Sequence, residues 1–218
     1  MLDLLAPLGR PPLDTFSPTQ VVRTAEVMPA GVWELEGGAR FSPVTGLTGA
    51  GGLRGGLLPG LELSVAFPPP ANWDAERRLV GLRFAPIPSL WSLEVSSDVP
   101  PFGGRALGLE AGSTLEIALP WFTPRLSPRV FYLRSPGPDG FAESLHPRLA
   151  VGVETRAFKV VSLGLDYDYG FWGASTLNFG TRFRAIGNLG GALFASLPTY
   201  ALGNPSTYKA GFLAAMRF

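Results

Sequence analysis

The sequence predicts an all-β fold: a transmembrane, antiparallel, up-and-down β-barrel of about twelve strands, within a range of about ten to fourteen. Three observations predict it. Apolar and polar residues alternate with period two along most of the chain from Gly31 onward, the spacing that separates the two faces of a strand. One of those faces is nearly free of charge, whereas the other takes almost all of it. The connections alternate as well, short turns at one end and longer, Pro- and Gly-rich loops at the other. Composition agrees: 28 Gly and 22 Pro disfavour long helices, and no window of ~18 apolar residues offers a membrane-spanning helix. The mean hydropathy of +0.21 is high for a chain without such a helix, and a barrel hides that excess in every second residue.

Residues 1–30 stand apart from the strands. They hold five prolines and no sustained alternation. Two readings stay open for them: a loosely docked tail, or a segment folded into or across the barrel mouth. Ser17 is placed to cap a short helix over 18–27. The barrel proper occupies 31–218. Its first strand covers 32–42, where Trp33, Leu35, Gly37, Ala39 and Phe41 alternate with Glu34, Glu36, Gly38, Arg40 and Ser42. Strands near 50–57 and 61–67 flank Leu58-Pro59-Gly60, a tight turn, and the Pro and Gly at its centre separate two strands from one long one. The same rule places strands near 77–86, 91–99, 105–119, 125–134, 147–158, 160–170, 176–186, 189–198 and 207–218. The least regular is 125–134, where Pro128 removes a ladder donor and a β-bulge is expected. An even strand count brings both ends of the barrel segment to the side of the short turns.

Alternation alone does not separate a membrane barrel from a soluble sandwich, because the sandwich has the same pattern with the opposite sense. In the membrane reading the charged face points inward. Its acids are Glu34, Glu36, Glu62, Glu94, Asp98, Glu110, Glu116, Glu154, Asp166 and Asp168; its bases are Arg40, Arg54, Arg83, Arg129, Arg148, Arg156, Arg182, Arg184, Lys209 and Arg217. The opposite face carries no Asp, Glu or Lys, and Arg134 lies on it at the end of the irregular strand; a midplane Arg or Lys facing lipid costs roughly 2–4 kcal/mol. Two further features favour the membrane. Glycines crowd the polar face, as strand curvature around a lumen requires. Aromatic residues collect at strand ends as two girdles, with Trp33, Trp91 and Trp121 near the short turns and Trp73, Tyr167, Tyr169 and Trp172 near the loops.

The final residues sharpen this. Tyr208, Ala210, Phe212, Ala214, Met216 and Phe218 share one face, and Lys209 and Arg217 lie on the other. This pattern resembles the C-terminal strand of bacterial outer-membrane β-barrels, whose terminal aromatic is read by the insertion machinery. The resemblance implies an outer-membrane location in a Gram-negative-type envelope. It implies outer-membrane lipids and the insertion machinery as partners, with Tyr208, Phe212, Met216 and Phe218 as the assembly signal. The opening run from Thr24 to Glu36 and the hairpin Leu53–Phe67 are similar to the first strands of porin-like transport barrels. Together the likeness covers roughly 25–218. It implies an architecture and names no solute. The start, MLDLLAPLGRPP, lacks the basic and sustained apolar regions of a signal peptide.

Candidates for chemistry are few. The chain has no Cys, which removes disulfides and thiolate metal sites. Its net charge of +1 gives no electrostatic case for nucleic acid. His146, the only histidine, is expected in an outer loop with Glu143 and Ser144 near it in sequence, which does not make a triad. Asp166 and Asp168 form a carboxylate pair without a recognisable metal loop. The glycines of 46–56 precede no Gly-Lys-Ser/Thr and no helix, so they are not a phosphate loop. No catalytic residue, metal or cofactor is expected. The leading expectation is a small porin-like channel or transporter with a charge-balanced polar lumen. The alternative is a plugged scaffold barrel that anchors or binds an envelope partner protein, with a membrane-embedded hydrolase third.

Overall fold

The computed structural model describes residues 25, 27–43, 46–67, 78–99, 107–137, 140–158, 161–171, 175–186, 188–199 and 208–218. Twelve strands run through them: β1 (Trp33–Ser42), β2 (Gly46–Leu58), β3 (Leu61–Phe67), β4 (Arg78–Ile87), β5 (Trp91–Val99), β6 (Leu107–Glu116), β7 (Phe122–Gly137), β8 (Gly140–Phe158), β9 (Val161–Gly170), β10 (Thr176–Ile186), β11 (Leu189–Pro198) and β12 (Lys209–Arg217). Each pairs antiparallel with its sequence neighbours, and β1 pairs with β12, so the sheet closes on itself. Closure removes every free edge over the paired length. The last backbone pair is reciprocal: the Phe218 and Trp33 amides each donate to the other's carbonyl at 3.0 Å. Among the described residues no helix is long and apolar enough to cross a membrane.

The alternation read from the sequence fixes which face each residue takes. Leu35, Leu82, Val95, Val151, Leu163, Phe179, Leu193 and Phe212 are exposed on the outside, while Glu34, Glu62, Glu116 and Asp168 are at most 3% exposed. This is an inside-out arrangement, apolar toward lipid and ionic toward the axis. The girdle residues have local reasons for their places. The Trp33 ring lies over Gly55, where a Cβ would strike the indole. The Trp91 indole N–H donates to Ser113 Oγ at 2.8 Å, giving its polar tip a partner. Tyr169 meets Phe171 edge-on at 5.0 Å, and Trp121 is 80% exposed at a short turn. Trp73 and Trp172 lie outside the described residues.

Three expectations change. The loop expected over 43–49 shortens, because β2 begins at Gly46. The loop expected over 135–146 is strand almost throughout: β7 and β8 pair continuously from Phe122↔Thr155 to Gly137↔Gly140. Consequently His146 belongs to β8, opposite Phe131, and Glu143 joins Arg134 on the outer face, at an exposed ion pair of 3.7 Å. The reason is geometric. β9 pairs with β8 only as far as Arg148↔Gly170, and β6 with β7 only as far as Leu107↔Arg134. Beyond those pairs, among the described residues, β7 and β8 hold each other alone as a two-stranded ribbon. Pro147 sits just past the last β9 pair, where its missing N–H removes no described ladder bond, and its carbonyl accepts from the Phe171 amide at 3.3 Å. Pro128 falls where the β6–β7 pairing skips from Gly112↔Arg129 to Leu115↔Leu126. There the Thr114 and Ser127 hydroxyls meet at 2.6 Å and bridge the interruption.

The segment before β1 turns into the barrel at the short-turn end. The Gly31 amide donates to the Gly56 carbonyl at 2.8 Å, and the Gly56 amide donates back to Val32 at 3.0 Å. A Cβ on Gly56 would overlap the Pro29 and Met28 carbonyls, so only glycine admits this crossing. The helix expected over 18–27 falls mostly outside the described residues.

Candidate functional site

The lumen wall is the candidate site, and among the described residues its ion pairs fall into three groups. The first runs around β1–β5 and across the seam. Glu34 accepts from Arg217 Nε at 2.6 Å and from Arg54 Nε at 3.0 Å. Arg54 lies 3.3 Å from Glu36 and 3.7 Å from Glu62. Arg83 then links Glu62 at 3.9 Å to Glu94 at 3.1 Å. The second network joins β6–β9: Arg129 reaches Glu110 at 3.4 Å and Asp168 at 3.2 Å, and Arg148 reaches Asp168 at 2.8 Å. In the third, Arg125 pairs with Glu116 at 3.5 Å and closely with Glu154, and Ser162 Oγ donates to Glu154 at 2.6 Å. Register explains the pairing, because Glu34↔Arg54, Glu62↔Arg83, Arg83↔Glu94 and Glu116↔Arg125 are directly opposed. Opposed charges on one sheet face are neighbours at about 5 Å between Cβ atoms.

Of the residues expected inward, Glu34, Glu36, Arg54, Glu62, Arg83, Glu94, Glu110, Glu116, Arg129, Arg148, Glu154, Asp166, Asp168 and Arg217 are buried or half-buried on this wall. Arg40, Asp98, Arg156, Arg182, Arg184 and Lys209 occupy strand positions whose side chains lie outside the description. Arg125, 5% exposed, is an inward base that the sequence reading passed over, although its parity matches Arg129. The uncharged inward residues Ser92, Ser96, Thr114, Ser127, Thr176, Asn178 and Ser196 are also buried.

The wall changes character at β10–β12. There Ala192, Leu213 and Ala215 are at most 6% exposed, and Phe194 packs on Ala192 and Leu213. Phe194 leans over Gly211 and Leu213 over Gly38, so glycines in one strand seat large side chains of the next. Phe212, Met216 and Phe218 face outward on the same strand, and Tyr208 precedes it, half-buried.

Residues before β1 touch this wall directly. The Ala25 amide donates to Glu116 Oε2 at 3.0 Å, and the Met28 amide to Glu62 Oε2 at 2.8 Å. Ala25 is 0% and Met28 3% exposed. Two carboxylates three strands apart, on β3 and β6, thus each accept from a backbone amide of the segment before β1.

For catalysis the arrangement offers one contact. Ser144 Oγ and His146 Nε2 are 2.8 Å apart, with the Phe131 ring 6.4 Å from the imidazole. No carboxylate orients that imidazole among the described contacts. Nor do the described residues gather three or more His, Cys, Asp or Glu side chains in a metal-holding group.

No protein-family model matches the sequence, and no curated protein does. Solved structures match the fold. The COG4313 outer membrane channel from Pseudomonas putida F1 superposes with a TM-score of 0.60 at 9% identity, covering 89% of this chain and 98% of that one. The NanC porin superposes with a TM-score of 0.55 at 10% identity, covering 85% and 98%. The chain has the fold of these outer-membrane barrels.

Proposed function

We infer that the protein is an outer-membrane, porin-like channel for small solutes, with its lumen narrowed at the short-turn end by the segment before β1. The observation that carries this reading is the closed barrel with an apolar exterior and an ionic interior. Such a wall has a use only when water or a polar solute faces part of it, since a purely structural core is served as well by apolar packing. Twelve strands lie between the eight that side chains fill and the sixteen or so that leave an open aqueous channel. The fold shared with a channel and a porin supports the same reading, and so does an outer-membrane location with lipids and the insertion machinery as partners. The chemistry is passage, without cofactor or covalent step.

The anchoring of Ala25 and Met28 on Glu116 and Glu62 favours a second reading, in which residues 1–30 plug the lumen and the barrel serves as a scaffold for an envelope protein. Conductance separates the two. The full chain in planar bilayers and liposomes is expected to give small openings and slow swelling, and a chain lacking residues 1–27 larger ones. If neither conducts, the channel reading falls and the scaffold reading stands. Deleting Phe218 is expected to lower the yield of heat-modifiable barrel in outer membranes.

A further inference from the structure

The segment that leads into β1 is held in the mouth by its backbone. Its course is set by a turn. The Val32 amide donates to the Pro29 carbonyl at 3.0 Å, and Gly31 has a φ of 79°, the backbone required at the third position of a type II turn. A Cβ on Gly31 would meet nothing within 4 Å, so glycine stands there for its backbone and not for space. Beyond the turn, the Met28 amide donates to Glu62 at 2.8 Å and the Ala25 amide to Glu116 at 3.0 Å. These acids stand at the short-turn ends of β3 and β6, three strands apart, which is about 14 Å along the wall. The three residues of chain between the two amides reach at most about 11 Å. The glutamates therefore reach toward each other to hold the segment, on the lumen side of the wall. This dock is built without the segment: Glu62 also lies 3.7 Å from Arg54 and 3.9 Å from Arg83, and Glu116 3.5 Å from Arg125. The described residues of the segment, Ala25 and 27–32, carry no charge, so they bind it through main-chain amides.

We propose that this segment is a hinged strap: docked on Glu62 and Glu116 it closes the short-turn mouth, and swung away about Gly31 it lets solute pass. This rests on the channel reading and names the regulation of that passage. A hinge needs a fixed side and a moving side. The fixed side is β1, paired with β2 and β12, together with the Gly31 and Val32 bonds to Gly56 at 2.8 and 3.0 Å. The moving side is the arm before Gly31, and a few element-terminal residues that absorb a backbone change are the usual form of such a hinge. Both acids keep their guanidinium partners when the amides leave. Undocking therefore breaks the two amide bonds to the wall and leaves the lattice intact, whereas removing a member of the lattice strands a buried charge. A segment tied this way opens locally, at a free energy well below that of unfolding the barrel.

The chain has no Cys, so Met28→Cys gives the full chain a single thiol, at a position 3% exposed in the docked strap. A small neutral methanethiosulfonate is the probe. Its rate on that thiol in the folded barrel, divided by its rate in the urea-unfolded chain, reads the fraction of time the strap is open, and a value of about one-hundredth or less is expected. Adding Gly31→Ala puts a Cβ on a left-handed backbone and is expected to raise that fraction at least about fivefold. Adding Ala25→Pro removes the amide that Glu116 accepts, alters no wall residue, and is expected to raise it about tenfold. The open time in planar bilayers is expected to rise in the same order. Both substitutions lie outside the twelve strands, and retention of the heat-modifiable barrel checks folding; the rate on the Met28→Cys chain decides even where a further variant fails to fold. A thiol that reacts as fast in the folded as in the unfolded chain overturns the proposal. So do rates that both folded variants leave unchanged, or faster rates with an unchanged open time in a chain that conducts. If no chain conducts while the thiol rates rise as expected, the channel reading falls and the hinged strap stands; conduction with unchanged rates keeps the channel and overturns the strap.

Discussion

Two arcs of one barrel solve the same problem differently. From β1 to β9 the inner wall is an ionic lattice in which Glu34, Arg54, Glu62, Arg83, Arg125, Arg129 and Asp168 are all less than a tenth exposed. From β10 to β12 the described inner wall includes Ala192, Phe194, Leu213, Ala215 and glycines, with Thr176, Asn178 and Ser196 on one side of them and Arg217, which joins the lattice through Glu34, on the other. Both arcs obey the same two-residue alternation, and both turn an apolar face to lipid. The ionic arc gains little net stability from its charges but is intolerant of losing one, since removal leaves a buried opposite charge behind. The second arc holds by contact and volume, so its losses scale with the space left empty.

The largest expected effect breaks the ionic arc. Glu34→Ala removes the buried carboxylate that Arg54 and Arg217 share, and the urea midpoint of the folded barrel in detergent micelles is expected to fall by the equivalent of about 3–5 kcal/mol. Next is the outside of the same arc: Val95→Arg puts a charge on an outward position 58% exposed, with an expected loss of about 2–4 kcal/mol in the same measurement in bilayers. On the contact-built arc, Leu213→Ala opens a cavity over Gly38 and is expected to cost about 2–3 kcal/mol, without the salt dependence that Glu34→Ala acquires. The smallest effect is at the exposed ribbon, where Glu143→Ala removes only the 3.7 Å pair with Arg134 and is expected to change stability by less than about 1 kcal/mol. Equal losses for Glu34→Ala and Glu143→Ala would erase the distinction between lattice and surface pair.

Much of this was legible from alternation, because period two is imposed on every residue of a strand that separates lipid from a lumen. The twelve strands followed from it, and Glu34, Glu62, Arg54 and Arg83 are buried at the parity it assigns. Proline caused the main departure. Pro136 and the residues around it over 135–146 read as loop, yet the β7–β8 ribbon extends past its neighbours, and a strand with only one partner has no second ladder for proline to damage. Arg125 was missed although it opens the expected 125–134 strand with the parity of Arg129. The lodging of Ala25 and Met28 in the mouth was one of two readings the sequence left open, and the contacts with Glu116 and Glu62 that favour it join residues 91 and 34 positions apart.

The seam between β1 and β12 carries a consequence for how the chain reaches its native state. Eleven of its twelve strand pairings join sequence neighbours and form as local hairpins. The twelfth joins Glu34 to Arg217, 183 residues apart, and must draw together the two ends of a sheet already built. Loop-closure entropy grows only slowly with length, but a single pairing of such range raises the contact order and delays the step that needs it. Until that step both β1 and β12 present unpaired backbone, the state in which strands add to other chains. The reciprocal amide pair of Trp33 and Phe218, with the Glu34–Arg217 pair beside it, is therefore a latch whose closing ends the period of greatest exposure to aggregation.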